Sequence, residues 1–351
     1  LCLMREGATC GRPAGRPRQR LLLLTMLLAL LPGCGLVFDA VELMHPLTKD
    51  ELSTICASGR LRVGISVEPF RPFVFPAVYT DEGIRVTGLD VELIQEVAQA
   101  LTGHCGGRPI VPSLHLTRFR DLFIELNEGH LDLFVSSFSG NVPGAHPGGL
   151  WTSIPYFHDG GIGIIVRHPN AAEKILSALR NHAGQVNTLA AIQEGLAGLT
   201  VAVQNRRTAH FYAEANLRHI RLVVCDSLPA AVESKDPSID AILTDYPILQ
   251  YVTKRVWPDW RLLDRPDGSP LILTREYFSI VTSEENRRLQ WFLNNLLYHM
   301  EETGRLARMR KRWMDDDYAP TRRATVEGLP LEVSKVPGHY NQGQCRLIKA
   351  G

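Results

Sequence analysis

The stretch "GLDVELIQEVAQAL", residues 88–101, carries a helical pattern set between two strand patterns. Leu93, Ile94, Val97, Ala98 and Leu101 recur at three- and four-residue spacing, which lines one face of a helix with apolar side chains. Asp90 can cap its start, and Asp90 and Glu92 suit the positive end of the helix dipole. Upstream, "RLRVGISV" (60–67) alternates as a strand does, and downstream "IVPSLHL" (110–116) is a second strand. Between the first strand and the helix lies "EPFRPFVFP" (68–76). Its three prolines exclude a helix, because proline lacks the amide donor, and its three phenylalanines make it an extended aromatic loop.

The alternation continues along the chain. "TRFRDLFIELNEGH" (117–130) reads as a helix with Phe119, Leu122, Phe123 and Leu126 inward, ended by Gly129. "LDLFVSSFSGNVPGAHPGG" (131–149) begins as a buried strand and ends in Ser136, Ser137 and Ser139 before turn residues take over. Later strands are read at 160–167, 199–204, 220–225, 239–245 and 277–283, with helices between them. Residues 171–196 read as helical or mixed. Ser283 is placed to cap a long helix with Leu289, Phe292, Leu293, Leu296, Leu297 and Met300 on one stripe, and "GRLARMRKRWM" (304–314) is a basic helix. Strands alternating with helices mean βαβ units and an α/β fold with mostly parallel sheets. In such sheets ligands bind outside the carboxyl ends of strands, which puts the three serines where a ligand would sit.

Composition is that of an ordinary globular chain: 351 residues, 45% hydrophobic, 21% charged, formal net charge +1. There is no basic excess that would point to nucleic acid. Four arginines (Arg12, Arg16, Arg18, Arg20) precede the apolar run Leu21–Leu31, which is too short to span a bilayer comfortably. "LPGC" follows and resembles the lipobox of bacterial lipoproteins, with Cys34 as the lipidated residue and residues 1–33 as the signal; a plain cleaved secretory signal or an uncleaved anchor stays open. Removing 1–33 takes away five arginines and one glutamate, moving the formal charge from +1 to −3. Residues 34–59 read as a leader with a short helical pattern. Beyond Cys34 stand Cys56, Cys105, Cys225 and Cys345, which allow three pairings; one disulfide or none is expected, with Cys225 in a strand. No CxxC, HExxH, P-loop or GxSxG occurs, and the histidines are scattered without metal spacing, so no metal or cofactor is expected.

Six elements in order resemble the family 3 bacterial extracellular solute-binding proteins. These are the 88–101 stretch, "LRVGIS…PFRPFVF", "DLFIELNEGHLDLFVSSFS", "WTSIPYF", "LTVAVQ…T" with "IDAILTD", and "GRLARMRKRWM", together covering about residues 60 to 314. The resemblance implies a type II periplasmic binding protein fold, with two α/β lobes joined by two hinge strands. Lobe one would be 60–160 plus 275–314, lobe two 163–270, and 315–351 a polar tail. It implies a monomer that captures a small solute, usually an amino acid, between closing lobes and delivers it to an ABC permease. Ser136, Ser137 and Ser139 match the positions that grip a carboxylate, Asp245 the acid that takes an ammonium, and Phe70 the aromatic that covers the ligand. Serines that only cap a loop, and an aspartate that only caps a helix, are the plainer alternatives. Glu68 or Ser66 would add a polar contact.

One departure bears on the ligand. Where the family places an arginine in a T-x-x-R turn, this chain reads "NVPG", with Asn141 at the threonine, Gly144 at the arginine and His146 the nearest basic residue. "VQNRRTAHF" instead places Arg206, Arg207 and Thr208 at the start of a second-lobe helix, where a helix N-terminus favours anions. The expectation is an anionic or amino-acid-like solute gripped from lobe two through Arg207 and Thr208, with exposed arginines in a solvated loop as the plainer alternative. A ligand-sensing module and a periplasmic dehydratase-like enzyme on the same fold are the alternatives.

Overall fold

A computed structural model describes residues 50–66, 70–76, 78–80, 83–141, 148–182, 188–234, 238–316, 329–330 and 344–349. Cys34 and the signal region, and with them Glu68, Gly144 and His146, lie outside the described residues.

The chain opens with helix α1 (Glu51–Ser58), capped by the Asp50 carboxylate and ended by Gly59 in the left-handed conformation. Strand β1 (Arg60–Ser66) follows, then the short strands β2 (Val78–Thr80) and β3 (Gly83–Val86), helix α2 (Leu89–His104), β4 (Val111–Thr117), α3 (Phe119–Asn127), β5 (Leu133–Ser139) and β6 (Leu150–Thr152). A crossing segment leads to β7 (Ile162–Val166), α4 (Pro169–Asn181), α5 (Thr188–Leu196), β8 (Thr200–Gln204), α6 (Thr208–Asn216), β9 (Arg221–Cys225), α7 (Leu228–Glu233), β10 (Ala241–Asp245), α8 (Tyr246–Arg255) and β11 (Arg261–Leu262). A second crossing segment returns to β12 (Phe278–Ser283), α9 (Arg287–Glu302), α10 (Arg305–Arg310), a π-helical turn Lys311–Asp315, β13 (Leu329–Pro330) and β14 (Cys345–Lys349).

The strands form two main sheets, ordered β4-β1-β5-β12-β6 and β11-β7-β10-β8-β9-β14. Each has three parallel strands, β4-β1-β5 in the first and β10-β8-β9 in the second, continued by antiparallel strands on one side of the first and on both sides of the second. We refer to each sheet with its helices as a lobe. The strands β5, β8 and β10 are buried at every position, as strands with parallel partners covered on both faces must be, and so is the antiparallel β7 beside β10. On α2, the stripe Leu93, Ile94, Val97, Ala98 and Leu101 is buried, as the periodicity requires.

Several local expectations need correction. Helix α2 is capped at Gly88, whose φ of 145° and whose contact with the Phe73 carbonyl exclude a side chain, and the Asp90 carboxylate turns into the molecule instead of capping. Ser283 does not cap α9; two further residues turn first and the cap falls at Asn286, because Ser283 still pairs with Leu150 in the sheet. The 171–196 region divides into α4 and α5. Two disulfides form rather than one or none: Cys56–Cys105 in the first lobe and Cys225–Cys345 in the second. The second fastens β14 antiparallel to β9 at the sheet edge, so part of the polar 315–351 stretch is a strand.

The two crossing segments run side by side. Phe157 and Phe278 exchange a bridge, with the Phe278 amide donating to the Phe157 carbonyl at 2.9 Å, and the Leu273 amide donates to the Ile162 carbonyl at 2.8 Å. The backbones meet closely enough that a Cβ on Gly160 would lie 2.8 Å from the Glu276 carbonyl oxygen, and one on Gly161 only 2.3 Å from that of Thr274. Glycine is required at both for steric reasons.

Candidate functional site

The carboxyl ends of β5, β8 and β10 converge on a cavity of about 280 Å³ lined by Phe119, Phe138, Ser139, Arg206, Arg207, Thr208 and Asp245, among others. Phe119, Phe138 and Ser139 belong to the first lobe, the rest to the second.

On the first-lobe side, β5 breaks its regular geometry as it ends. Ser137 adopts φ 41°, uncommon for a residue with a side chain, and the pairing of β5 with β12 shifts register between Ser279 and Val281. This kink aims the Ser137 amide at Asp90 Oδ2, 2.8 Å away. The Tyr156 hydroxyl donates to Asp90 Oδ1, also at 2.8 Å. The three serines then diverge. Ser136 Oγ accepts the Ser66 amide at 3.2 Å, and Ser139 Oγ donates to Glu276 Oε2 at 2.5 Å. Ser137 Oγ is buried without a hydrogen-bond partner among the described residues. Asn141 is spent on the second crossing segment, its amide donating to the Arg275 carbonyl and its oxygen accepting the Tyr277 amide.

On the second-lobe side, the turn after β8 places Arg206 at φ 57° and Arg207 at the N-cap of α6. Arg207 extends across to the first lobe. Its guanidinium carbon lies 3.7 Å from the ring centroid of Phe70 and 3.5 Å from that of Phe119, so it is held between two aromatic faces, and the residue is 6% exposed. Stacking at this distance occupies the faces of the guanidinium, while its N–H groups radiate in the plane. Thr208, half-buried, opens α6 beside it. Asp245 occupies the N-cap position of α8 but makes no side-chain capping bond, and it lines the cavity.

The electrostatics are those of a buried cation, Arg207, among buried acids. Burial drives the Asp90 carboxyl up to about 7, against the Tyr156 and Ser137 hydrogen bonds and the Arg207 charge, which favour its ionised form. Burial and the neighbouring Glu276 carboxylate raise Asp245 to about 7 as well, again opposed by Arg207. Glu276, 2% exposed in the second crossing segment, also accepts the Thr274 hydroxyl at 2.7 Å.

The structure thus brings Ser139, Arg207, Thr208 and Asp245 around one cavity and sets Phe70 against Arg207. Ser136 and Ser137 sit deeper, bound into the strand and toward Asp90. Sequence reasoning missed Phe119, assigned to the core because it shares the inward stripe of α3, and Glu276, which no motif marks. Asp90 was noticed, but as a cap. Among the described residues no group of His, Cys, Asp and Glu is placed to hold a metal, and no helix is long and apolar enough to cross a membrane. A wider open groove is lined by His104, Trp291 and Phe292, where His104 ends α2, and it shares no lining residue with the cavity.

Comparisons with known proteins agree with this architecture. Solved structures that superpose include the ancestral amino acid-binding protein AncCDT-1, a precursor of cyclohexadienyl dehydratase (21% identity, TM-score 0.57, 76% of this chain and 100% of that one). A substrate-binding protein of an amino acid ABC transporter from Streptococcus pneumoniae, bound to L-arginine, is 18% identical (TM-score 0.57, 73% and 95%). A putative ABC transporter binding component from Wolinella succinogenes, complexed with lysine, is 19% identical (TM-score 0.58, 74% and 97%). At these identities the likeness establishes the fold, that of type II periplasmic binding proteins. No curated protein sequence matches significantly. The description "Bacterial extracellular solute-binding proteins, family 3" matches residues 61–316, most of the chain, and the protein belongs to that family.

Proposed function

We propose that this protein captures a small anionic or amino-acid-like solute in the cavity between its lobes and presents it to an ABC permease. The observation that supports this reading is that one cavity is lined from both lobes. Ser139 and Phe119 come from the first lobe, and Arg207, Thr208 and Asp245 from the second. A solute held by both sides would stabilise the closed arrangement of a hinged pair. The stacked Arg207 supplies in-plane donors suited to a carboxylate, in place of the arginine that the 141–144 turn lacks. The superposing structures from Streptococcus pneumoniae and Wolinella succinogenes hold L-arginine and lysine, which fits a carboxylate-bearing solute. In this reading the chain acts as a monomer, outside the cytoplasm, held to the membrane through a lipid on Cys34.

Native mass spectrometry of the full chain as purified tests this. A stoichiometric small anion is expected, with a thermal midpoint raised by adding the same compound, since a ligand of the native state alone stabilises it. A chain that carries nothing, and whose midpoint no carboxylate raises, would sink the reading. Asp90 and Asp245, buried carboxyls poised near neutrality, are what an acid catalyst would need. We assign binding without turnover, and recovery of the captured compound unchanged after long incubation separates the two.

A further inference from the structure

The pair Phe70 and Phe119 is chemically a cation site. Aromatic faces packed against a planar cation are a recognised means of holding guanidinium and ammonium groups. Two buried carboxylates, Asp90 of the first lobe and Asp245 of the second, interact electrostatically with the group between the rings. Here that group is the protein's own. The Arg207 guanidinium carbon is 3.7 Å and 3.5 Å from the two ring centroids, and it reaches them from the opposite lobe.

We propose that Arg207 is the specificity-determining residue of the cleft, a tethered cation that fills the Phe70–Phe119 sandwich and so excludes solutes whose recognised group is a guanidinium or ammonium. The proposal rests on the solute-binding reading and narrows it to anions. A solute cation would have to displace Arg207 or share the cage with it, and like charges at contact repel. A solute carboxylate meets instead the in-plane edge of a guanidinium whose faces are already held, a preorganised partner. Taking Arg207 away should then leave the two rings, beside the Asp245 that lines the same cavity, to accept a free guanidinium of the same shape and charge.

The test uses the full chain, with guanidinium chloride at low millimolar concentration and L-arginine as probes, and sodium chloride at equal ionic strength as the control. Arg207→Ala is expected to show a rise in thermal midpoint with guanidinium that sodium does not reproduce. In calorimetry it is expected to bind L-arginine at least about tenfold more tightly than the wild type. Adding Phe119→Ala to Arg207→Ala should abolish both gains, which a purely structural strut would not predict. If Arg207→Ala is recovered folded only with guanidinium present, that rescue supports the proposal. A variant that is folded yet responds alike to both salts, one that neither folds nor is rescued, or a wild type that binds L-arginine as tightly as the variant, overturns it. Native mass spectrometry of the wild type reports on the solute-binding reading separately. A captured anion without guanidinium rescue in the variant would remove the specificity claim alone. Rescue in the variant with no solute captured by the wild type would remove the binding reading and leave the cage assignment.

Discussion

The Tyr156 hydroxyl donates to Asp90 Oδ1 at 2.8 Å, so a residue leading into the first crossing segment is tied to the carboxyl at the start of α2. The other oxygen of that carboxyl takes the Ser137 amide, at the kinked end of β5. Burial raises Asp90 to about 7 in the folded protein, well above its ordinary value of 3.8. The native state therefore holds a proton through a range in which the unfolded chain has lost it. The associated stability is present in full below the ordinary carboxylate range and is lost as pH rises through about 7. Asp245 and, beside Arg62 and Asp132, Glu51 are raised to about 7 too and act in the same direction. The thermal midpoint should be higher at about pH 5 than at about pH 8, and Asp90→Asn should flatten that slope without removing it. A slope identical in the variant, or a wild type more stable at the alkaline end, contradicts this account.

Glu276 joins the second crossing segment to the cavity. Its carboxylate accepts the Ser139 hydroxyl at 2.5 Å and the Thr274 hydroxyl at 2.7 Å, and its charge helps raise Asp245. Glu276→Gln keeps the shape and removes the charge, so the Asp245 carboxyl should titrate at lower pH in that variant. Carboxyl-resolved NMR titration would read this, and an Asp245 unmoved or moved upward would refute the coupling. Glu276→Ala strands two hydroxyls and should cost about 2 to 4 kcal/mol in chemical denaturation, more than the Gln variant.

Gly161 holds φ 111°, and a Cβ there would lie 2.3 Å from the Thr274 carbonyl oxygen. Backbone of the partner segment cannot swing aside as a side-chain tip would. Gly161→Ala should therefore cost more than about 3 kcal/mol or prevent folding, since it adds conformational strain to a backbone clash. Gly198 is the control: its φ is 73°, but nothing stands within 4 Å of an added Cβ. Gly198→Ala should cost only about 1 to 2 kcal/mol. Equal losses in the two variants, measured by urea unfolding, would show that strain rather than the crossing contact dominates.

The sequence made the architecture legible because period and order report burial directly. The α2 stripe, the apolar run of β7, the Ala241–Leu243 start of β10, and the strand–helix alternation each follow from which faces must leave water. The site was legible where a strand end is marked by a change in side-chain chemistry, as at Ser139 and Asp245. It was not legible where a residue's role depends on what crosses from the other lobe. Phe119 lies on the same stripe as Leu122, Phe123 and Leu126, and only the arrival of Arg207 over its ring distinguishes it from them. Asp90 satisfies every local rule for a helix start, yet Tyr156, 66 residues on, takes it inward. Long-range partners of this kind leave no local pattern to read.

The Cys225–Cys345 disulfide closes a sequence separation of 120 residues and fastens β14 to β9 at the edge of the second sheet. Little else of β14 is sequestered: Leu347 and Ile348 are 52% and 57% exposed. The bond should therefore supply most of what keeps this strand paired. Cys56–Cys105 spans 49 residues in the first lobe. Chain-entropy reasoning gives Cys56–Cys105 about 4 kcal/mol and Cys225–Cys345 about 5 kcal/mol, a difference below about 1 kcal/mol, because the dependence on loop length is logarithmic. The local consequences should differ far more. Cys345→Ser should release Arg346–Lys349 to fast amide exchange, leaving the β8 and β10 amides protected, whereas Cys56→Ser should leave β14 as it is. Amide exchange followed by mass spectrometry distinguishes these, and a β14 that stays protected without its disulfide would mean that backbone pairing alone secures the edge.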